Sequence, residues 1–145
     1  MEFKQYIAQD LEKCTTTFIN VFNAEPWNDE WTVENATRYL MDFTNTPGFF
    51  GRLAWEHEEI IGFIFGVRRA WWSGDEFFIH EMCVTPNQQH SGIGSALLNE
   101  LIQALQPDAI QNITLLTDRG IPAEAFYKKN GFEEIERILF MSKDI

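Results

Sequence analysis

The sequence predicts an α/β fold, a mixed and mainly antiparallel central sheet with helices on both faces. Three observations predict it. Residues 49–85 hold three apolar segments joined by short polar connections, the pattern of an antiparallel meander. After Pro86 the apolar period changes from two to about 3.6. A buried strand pattern then returns at Asn112 and is followed by a second, shorter helix pattern.

Taken in order, a short strand near Phe3 to Ile7 precedes a helix whose apolar stripe is Leu11, Cys14, Phe18 and Phe22, with Asp10 as its cap and its stop near Asn23. A second helix opens at Thr32, whose hydroxyl can accept a free N–H. It buries Val33, Ala36, Leu40 and Phe43 before Thr46-Pro47-Gly48 ends it. Strands follow at Phe49 to Trp55, Ile60 to Arg68 and Phe77 to Thr85. The long helix places Ile93, Leu97, Leu98, Leu101, Ile102 and Leu105 on one face and stops at Pro107. Asn112 to Thr117 gives a strand, Pro122 opens a helix through Asn130, and Gly131 closes it. Phe132 to Ile135 and Ile138 to Ser142 are expected to add one or two closing strands. No repeat, low-complexity tract or linker interrupts the 145 residues, so one domain spanning 1–145 is expected.

Composition narrows the function. Eleven basic residues stand against 22 acidic ones, a formal net charge of −11. Residues 1–80 hold 13 acids and 6 bases and residues 81–145 hold 9 and 5, so both halves are negative. Such a field repels nucleic acid and anionic membrane and favours cationic partners, although acids also serve plain solubility. The longest apolar runs, such as Ile60 to Val67, fall short of the ~20 residues of a membrane span, and the first residues show no signal-peptide pattern. A soluble cytoplasmic protein is the expectation. Cys14 and Cys83 lack the spacing of a zinc site or a disulfide framework, so no metal is expected.

The chemistry concentrates in Met82-Cys83-Val84-Thr85-Pro86-Asn87-Gln88-Gln89-His90-Ser91-Gly92-Ile93-Gly94-Ser95, where a strand runs through a two-glycine loop into the long helix. Unpaired N–H groups and the positive end of the helix dipole converge there, and the glycines let a bulky anion reach the main chain. The plain alternative is a tight turn that needs glycine. A Walker loop would require Gly-Lys-Ser/Thr, whereas Ser95-Ala96 follows Gly94. A dinucleotide fingerprint would require glycine where Leu97 stands.

The pattern that fits is Gln-x-x-Gly-x-Gly, as Gln89-His90-Ser91-Gly92-Ile93-Gly94, and it resembles the acetyl-CoA signature of the GNAT superfamily of N-acetyltransferases. Downstream, Ala123-Glu124-Ala125-Phe126-Tyr127-Lys128-Lys129-Asn130-Gly131-Phe132 is similar to that family's Ala-x-x-Phe-Tyr-x-x-x-Gly-Phe segment. The element order follows the GNAT fold along essentially the whole chain. The resemblance implies that the main chain of Met82, Cys83 and Val84 pairs with the pantetheine arm, in a slot between strands splayed around residues 82–84 and 113–117. It implies that the loop from Gln89 through His90, Ser91, Gly92, Ile93, Gly94 and Ser95 holds the pyrophosphate of acetyl-CoA. Gln89 and Ser91 stand where many relatives carry Arg or Lys, which shifts phosphate binding toward backbone dipoles. Gly120 stands where relatives often carry Asn.

Acetyl transfer to an amine needs an uncharged nitrogen, a polarised thioester carbonyl and a proton for the departing thiolate. The resemblance makes Tyr127 the candidate acid; by residue type alone it is a core tyrosine beside Phe126. Glu81 is the candidate base, because it interrupts an otherwise apolar strand where desolvation raises a carboxyl pKa. His80 is its rival, and a water relay stays open. Neighbours on a strand point to opposite faces unless a bulge intervenes. Direct attack is favoured over an acyl-enzyme on Cys83, since no histidine has an assigned place as its base. For the acceptor, the family builds its pocket from the segment between the first two helices, here Trp27, Asn28, Asp29, Glu30 and Trp31. Indoles among carboxylates suit a cationic amine, and Trp71-Trp72 can add a wall. The loop is similar in character to those of aminoglycoside or small-amine acetyltransferases. The expected acceptor is therefore a cationic small-molecule primary amine. The exposed aromatics permit a homodimer. A non-catalytic CoA-binding sensor remains the alternative function.

Overall fold

A computed structural model describes residues 1–145. Its strands are β1 (Glu2–Gln5), β2 (Phe49–Glu56), β3 (Glu59–Arg69), β4 (Glu76–Val84) and β5 (Asn112–Leu115), and its helices α1 (Leu11–Phe22), α2 (Val33–Thr44), α3 (Ile93–Leu105) and α4 (Pro122–Lys129). The five strands form one sheet in the order β1-β2-β3-β4-β5, antiparallel up to β4 and parallel between β4 and β5. Two- and six-residue connections suffice for the antiparallel pairs β2–β3 and β3–β4, β1 reaches β2 through α1 and α2, and the parallel pair needs a crossover, which α3 supplies.

Each face of the sheet carries its own core. On one, Cys14, Phe18 and Val21 of α1 and Ala36 and Leu40 of α2 meet Leu53, Phe63, Phe65 and Cys83. On the other, Ile93, Leu97, Leu98, Leu101 and Leu105 of α3 meet Ile64, Phe77 and Ile79. The periodicity located these stripes because burial of one helical face is what holds such helices in place. Thr32 caps α2 as expected: its hydroxyl accepts from Asn35 N at 3.1 Å, and Asn35 Oδ1 accepts from Thr32 N at 2.7 Å. Asp10 does not cap α1. Its carboxylate turns back to accept Ile7 N–H at 2.9 Å.

Two further expectations fail. Val33, at the first position of α2, is exposed, and the helix buries Ala36 and Leu40. The closing strands at Phe132 to Ile135 and Ile138 to Ser142 do not form. Phe132 packs against the α3-side core, but the residues after it find no strand of their own chain to pair with. Propensity alone cannot hold a strand without a ladder.

An irregularity in β4 sets the direction of two candidate site side chains. Phe65 pairs with Glu81 and the next residue, Gly66, pairs with Ile79, so His80 is an extra, bulged residue. The bulge turns both His80 and Glu81 toward the α1/α2 face. His80 stacks on Phe43 of α2, with ring centres 4.6 Å apart, and the Glu81 carboxylate accepts the hydroxyl of Tyr39, also on α2.

Candidate functional site

Glu81 is the candidate base, and the candidate site builds outward from it. Burial raises its carboxyl pKa from 4.5 to about 7, the Tyr39 hydroxyl pulls it back down, and the nearby Asp29 charge pushes it up further. A carboxyl poised there is half ionised at neutral pH and able to take a proton. The pKa of His80, the rival base, is lowered by burial and then by the Arg69 charge. Its ring lies against Phe43 and, at 4.7 Å, Phe78.

Tyr39 escaped the sequence reading. It sits one residue before the buried Leu40 and reads there as another core aromatic. Its role emerges only from the bulge that brings Glu81 within reach. Its ring packs on Trp31 at 5.0 Å, Phe18 at 5.5 Å and Phe43 at 4.8 Å, which fixes where its hydroxyl points.

The loop between α1 and α2 closes one side. Asn23 pins Trp31 from both directions, donating to its carbonyl and accepting its N–H, each at 2.9 Å. The Trp31 indole N–H donates to Asp29 at 3.0 Å, and Asp29 N–H donates to the Phe22 carbonyl at 2.9 Å. Asp29, Trp31, Tyr39 and Glu81 thus form a continuous chain of contacts. Trp31 is half-buried, with its ring spent on Phe18 and Tyr39, so it lines the site as a floor rather than as an open cation platform. Trp27 packs on Phe22 at 5.3 Å. Glu30 is exposed and forms no ion pair, so it is joined to the cluster by sequence only. Trp71 and Trp72 lie exposed between β3 and β4, with no aromatic partner.

Along β4, pairing with β5 stops at Ile79↔Leu115. From His80 through Met82 and Cys83 β4 has no partner in β5; the splay is expected around residues 82–84 and 113–117, but Ile113, Thr114 and Leu115 remain paired with β4, so the strands part only beyond Ile79 and Leu115. Next comes the glycine loop. The Gln89 amide donates to the Val84 carbonyl at 2.9 Å, tying the loop to the strand end, and Ser91 donates to the Gln88 carbonyl. His90 (φ +65°) and Gly92 (φ +86°) are left-handed, and Gly92 caps α3 with no side chain. None of the amides from His90 to Ser95 donates to a backbone carbonyl. A Cβ at Gly92 would meet nothing within 4 Å, so the space before these amides is open. Gly94 differs: a Cβ there would lie 3.1 Å from the Phe126 ring, so its glycine lets α3 and α4 close on each other. Thr85, at the end of β4, has a buried hydroxyl with no partner. Open amides, a free strand edge and a bare cradle fit a long phosphorylated ligand lying from β4 to α3.

Tyr127 stands on the α4 side. Burial pushes its phenol pKa well up, and the nearby Glu81 and Cys83 push it further, so it keeps its proton. Its ring meets Phe126 and Phe132 at 5.2 and 5.4 Å. Cys83 is buried in the α1/α2-side core, and burial raises its thiol far above the range in which a thiolate forms.

The acetyltransferase (GNAT) family model matches residues 5–132, nearly the whole chain. The chain belongs to the GNAT family. It is an acetyltransferase of the type that takes its acetyl group from acetyl-CoA. No curated protein sequence matches this GNAT chain. Solved structures repeat its fold. An aminoglycoside acetyltransferase from an uncultured soil metagenomic sample, in complex with sisomicin, aligns with TM-score 0.77 at 18% identity, covering 99% of this chain and 95% of that one. Aminoglycoside 6'-N-acetyltransferase from Acinetobacter haemolyticus aligns with TM-score 0.77 at 16% identity, over 100% and 99%. An integron cassette protein from V. cholerae reaches TM-score 0.82 at 19% identity, over 99% and 91%. At these identities the likeness is one of fold. No helix of this GNAT protein is long and apolar enough to cross a membrane.

The glycine loop supports a separable prediction. Gly92→Ala is expected to cost about 1–2 kcal/mol of stability by forcing a Cβ into the left-handed region, and to weaken acetyl-CoA binding. Gly94→Val should displace Phe126 and weaken binding more. Calorimetric titration with acetyl-CoA, with thermal unfolding alongside, checks both. Wild-type affinity in Gly94→Val would dissociate the loop from the cosubstrate.

Proposed function

We propose that this enzyme transfers acetyl from acetyl-CoA to the primary amine of a cationic small molecule by direct attack, with residues 1–145 acting as one cytoplasmic domain. The observation that carries the reading is the β4 bulge. It sets a half-ionised carboxylate beside the acidic Trp27–Trp31 loop, where β4's free edge begins.

Acetyl-CoA supplies an activated acyl thioester when bound. The open main chain of Met82, Cys83 and Val84 would pair with the pantetheine arm, and the amides from His90 to Ser95 would face the pyrophosphate, with Gln89 holding the loop to Val84. Asp29 and Glu30 would draw in the ammonium form of the acceptor. Glu81, ionised, takes one of its protons, directly or through a water. The freed nitrogen forms a C–N bond to the carbonyl carbon as the C–S bond breaks. A main-chain N–H near Met82 to Val84 steadies the charge on the carbonyl oxygen. Tyr127 hands its proton to the leaving sulfur, the second proton passes from the acylated nitrogen to the phenolate, directly or through a water, and Glu81 releases the proton it took to solvent. The products are an amide and free CoA. An acyl-enzyme on Cys83 is disfavoured by the high thiol pKa that burial gives it.

The substrate class follows from charge and from fold neighbours that act on aminoglycosides. A panel of aminoglycosides, polyamines, amino acids and peptides with acetyl-CoA, read as release of free thiol, tests it. Polycationic amines are expected to give the highest kcat/KM, falling steeply with ionic strength. Turnover confined to peptides, or acetyl-CoA binding without turnover on any acceptor, overturns the reading; the second result would make the chain a CoA sensor.

A further inference from the structure

Trp31 does two things with one side chain. Its ring rests on Phe18 and on Tyr39, whose hydroxyl donates to Glu81, and its indole N–H donates to one carboxylate oxygen of Asp29 at 3.0 Å. Asn23 fixes its main chain from both directions. Asp29 is therefore held at both ends, by the indole and by its own N–H on the Phe22 carbonyl at 2.9 Å, while its second carboxylate oxygen has no partner. The neighbouring Glu25, Glu30 and Glu34 have neither an ion pair nor a side-chain hydrogen bond. Holding a surface acid costs side-chain entropy and adds nothing to solubility, so the tie on Asp29 calls for another reason.

The ionisable groups around Glu81 supply one. They are Tyr39 from α2, Asp29 from the α1–α2 loop, Tyr127 from α4, and His80 and Cys83 on β4 itself. Burial, and then the Glu81 charge, keeps Tyr39, Tyr127 and Cys83 protonated. The pKa of His80 is lowered by burial and by Arg69. Asp29 is the exposed member of the set, and its negative charge opposes ionisation of Glu81. A cation on Asp29 cancels that opposition, more strongly than it could in bulk water because Glu81 is shielded from solvent. Every amine acceptor brings a reacting nitrogen, but only some bring a second ammonium to meet Asp29.

We propose that Asp29, positioned by the Trp31 indole, takes a second, non-reacting ammonium of the acceptor, and that its occupancy turns Glu81 into its ionised, proton-accepting form. Trp31 is then a positioning residue and Asp29 a specificity-determining one. The acceptor class narrows to amines with a second ammonium near the reacting one, as in short diamines and aminoglycosides. The protons balance: Glu81 gives one to solvent as the acceptor binds, and then takes one from the reacting ammonium. This rests on the reading of Glu81 as the base for a cationic acceptor.

Alkyl diamines of two to six methylenes, compared with monoamines of equal length, test it in pH–rate profiles and in calorimetric titrations without acetyl-CoA. The kcat/KM profile reports the free enzyme and the kcat profile the enzyme with its substrates bound. For the best diamine the acid limb of kcat should lie about one pH unit below that of kcat/KM, and for the monoamine the two should coincide. On the acid side the diamine then gains about tenfold in kcat over the monoamine, a gain that disappears above neutrality. Diamine binding near pH 7 should release roughly 0.4 of a proton, read from buffers of different ionisation enthalpy, and none in Glu81→Gln. Asp29→Asn should bring both acceptors to one lower limb and abolish the release; should it fail to fold, the two acceptors on the unaltered chain still decide. Trp31→Phe keeps the ring and loses the N–H, so it should narrow the separation of the limbs, which a merely structural Trp31 would leave in place. Coincident limbs without proton release overturn the proposal, as does a separation that survives Asp29→Asn or is untouched by Trp31→Phe. Release that persists in Glu81→Gln belongs to another group and overturns it too. If no amine is acetylated, the proposed activity fails by itself, and the calorimetric arm still decides whether Asp29 and Glu81 are coupled: release lost in both variants upholds the coupling, and its absence overturns it.

Discussion

Glu81→Gln is expected to lower kcat/KM about 10²–10⁴-fold at pH 8 while leaving acetyl-CoA binding in place. The wild-type enzyme should gain activity as pH rises and level off above about 7, because only the ionised carboxylate accepts a proton and its pKa lies near that value. The variant should lose this limb. A limb that persists unmoved would hand the role to His80, which the same bulge turns to the same face. Tyr39→Phe gives an opposite, finer signature. The Tyr39 hydroxyl favours the ionised form of Glu81, so its removal should raise the carboxyl pKa and move the limb to higher pH. A merely structural Tyr39 would lower the plateau without moving the midpoint.

Linkage adds a measurement independent of turnover. The folded-state pKa of Glu81 lies above its unfolded value, so the folded protein binds this proton more tightly. The stability it contributes is complete below the unfolded value of 4.5 and is lost as pH rises through about 7. Unfolding free energy should therefore fall across pH 4.5–7 in the wild type, by roughly 3 kcal/mol if the shift acts alone. In Glu81→Gln, which can still accept the Tyr39 hydroxyl, the fall should be smaller. The variant would thus be more stable than the wild type at pH 8 and far less active, the trade expected where a carboxylate is kept partly desolvated for its chemistry.

That carboxylate also marks the boundary of what the sequence makes legible. The element order as far as α4, the β2–β3–β4 meander and the glycine loop follow from period, turn residues and breakers, which are local. α3 was visible because Ile93, Leu97, Leu98, Leu101 and Leu105 must share one face to be buried at all. Glu81 stood out as a charge in an apolar strand. The bulge at His80 depends on register against β3, and the partnership of Glu81 with Tyr39 depends on where α2 lies, so neither is written in either segment alone. The strand pattern of residues 138–142 is real as propensity but has no partner within one chain. Ile138 to Ser142 reads as a closing strand because sequence shows appetite for burial and not what is available to satisfy it.

Tyr127→Phe is expected to lower kcat about 10²-fold with the dissociation constant of acetyl-CoA changed by no more than about twofold. The phenol sits between Phe126 and Phe132, and loss of its oxygen leaves that packing intact, so the fold should tolerate the change. Its pKa, pushed up by burial and then by Glu81 and Cys83, keeps it protonated over the working range, so it should add no alkaline limb of its own. What it contributes is a proton at the sulfur, and leaving-group chemistry can isolate that contribution. With an acetyl thioester of an acidic aromatic thiol, which departs without a proton, wild type and Tyr127→Phe should turn over at similar rates; with acetyl-CoA they should differ by the full factor. A deficit of equal size with both donors would mean that the hydroxyl positions the acyl group, and unchanged kcat with acetyl-CoA would remove Tyr127 from the reaction. The same pair of donors should leave the Glu81→Gln deficit unchanged, because the amine must lose its proton whichever thiol departs, so the two residues can be assigned to opposite ends of the transfer.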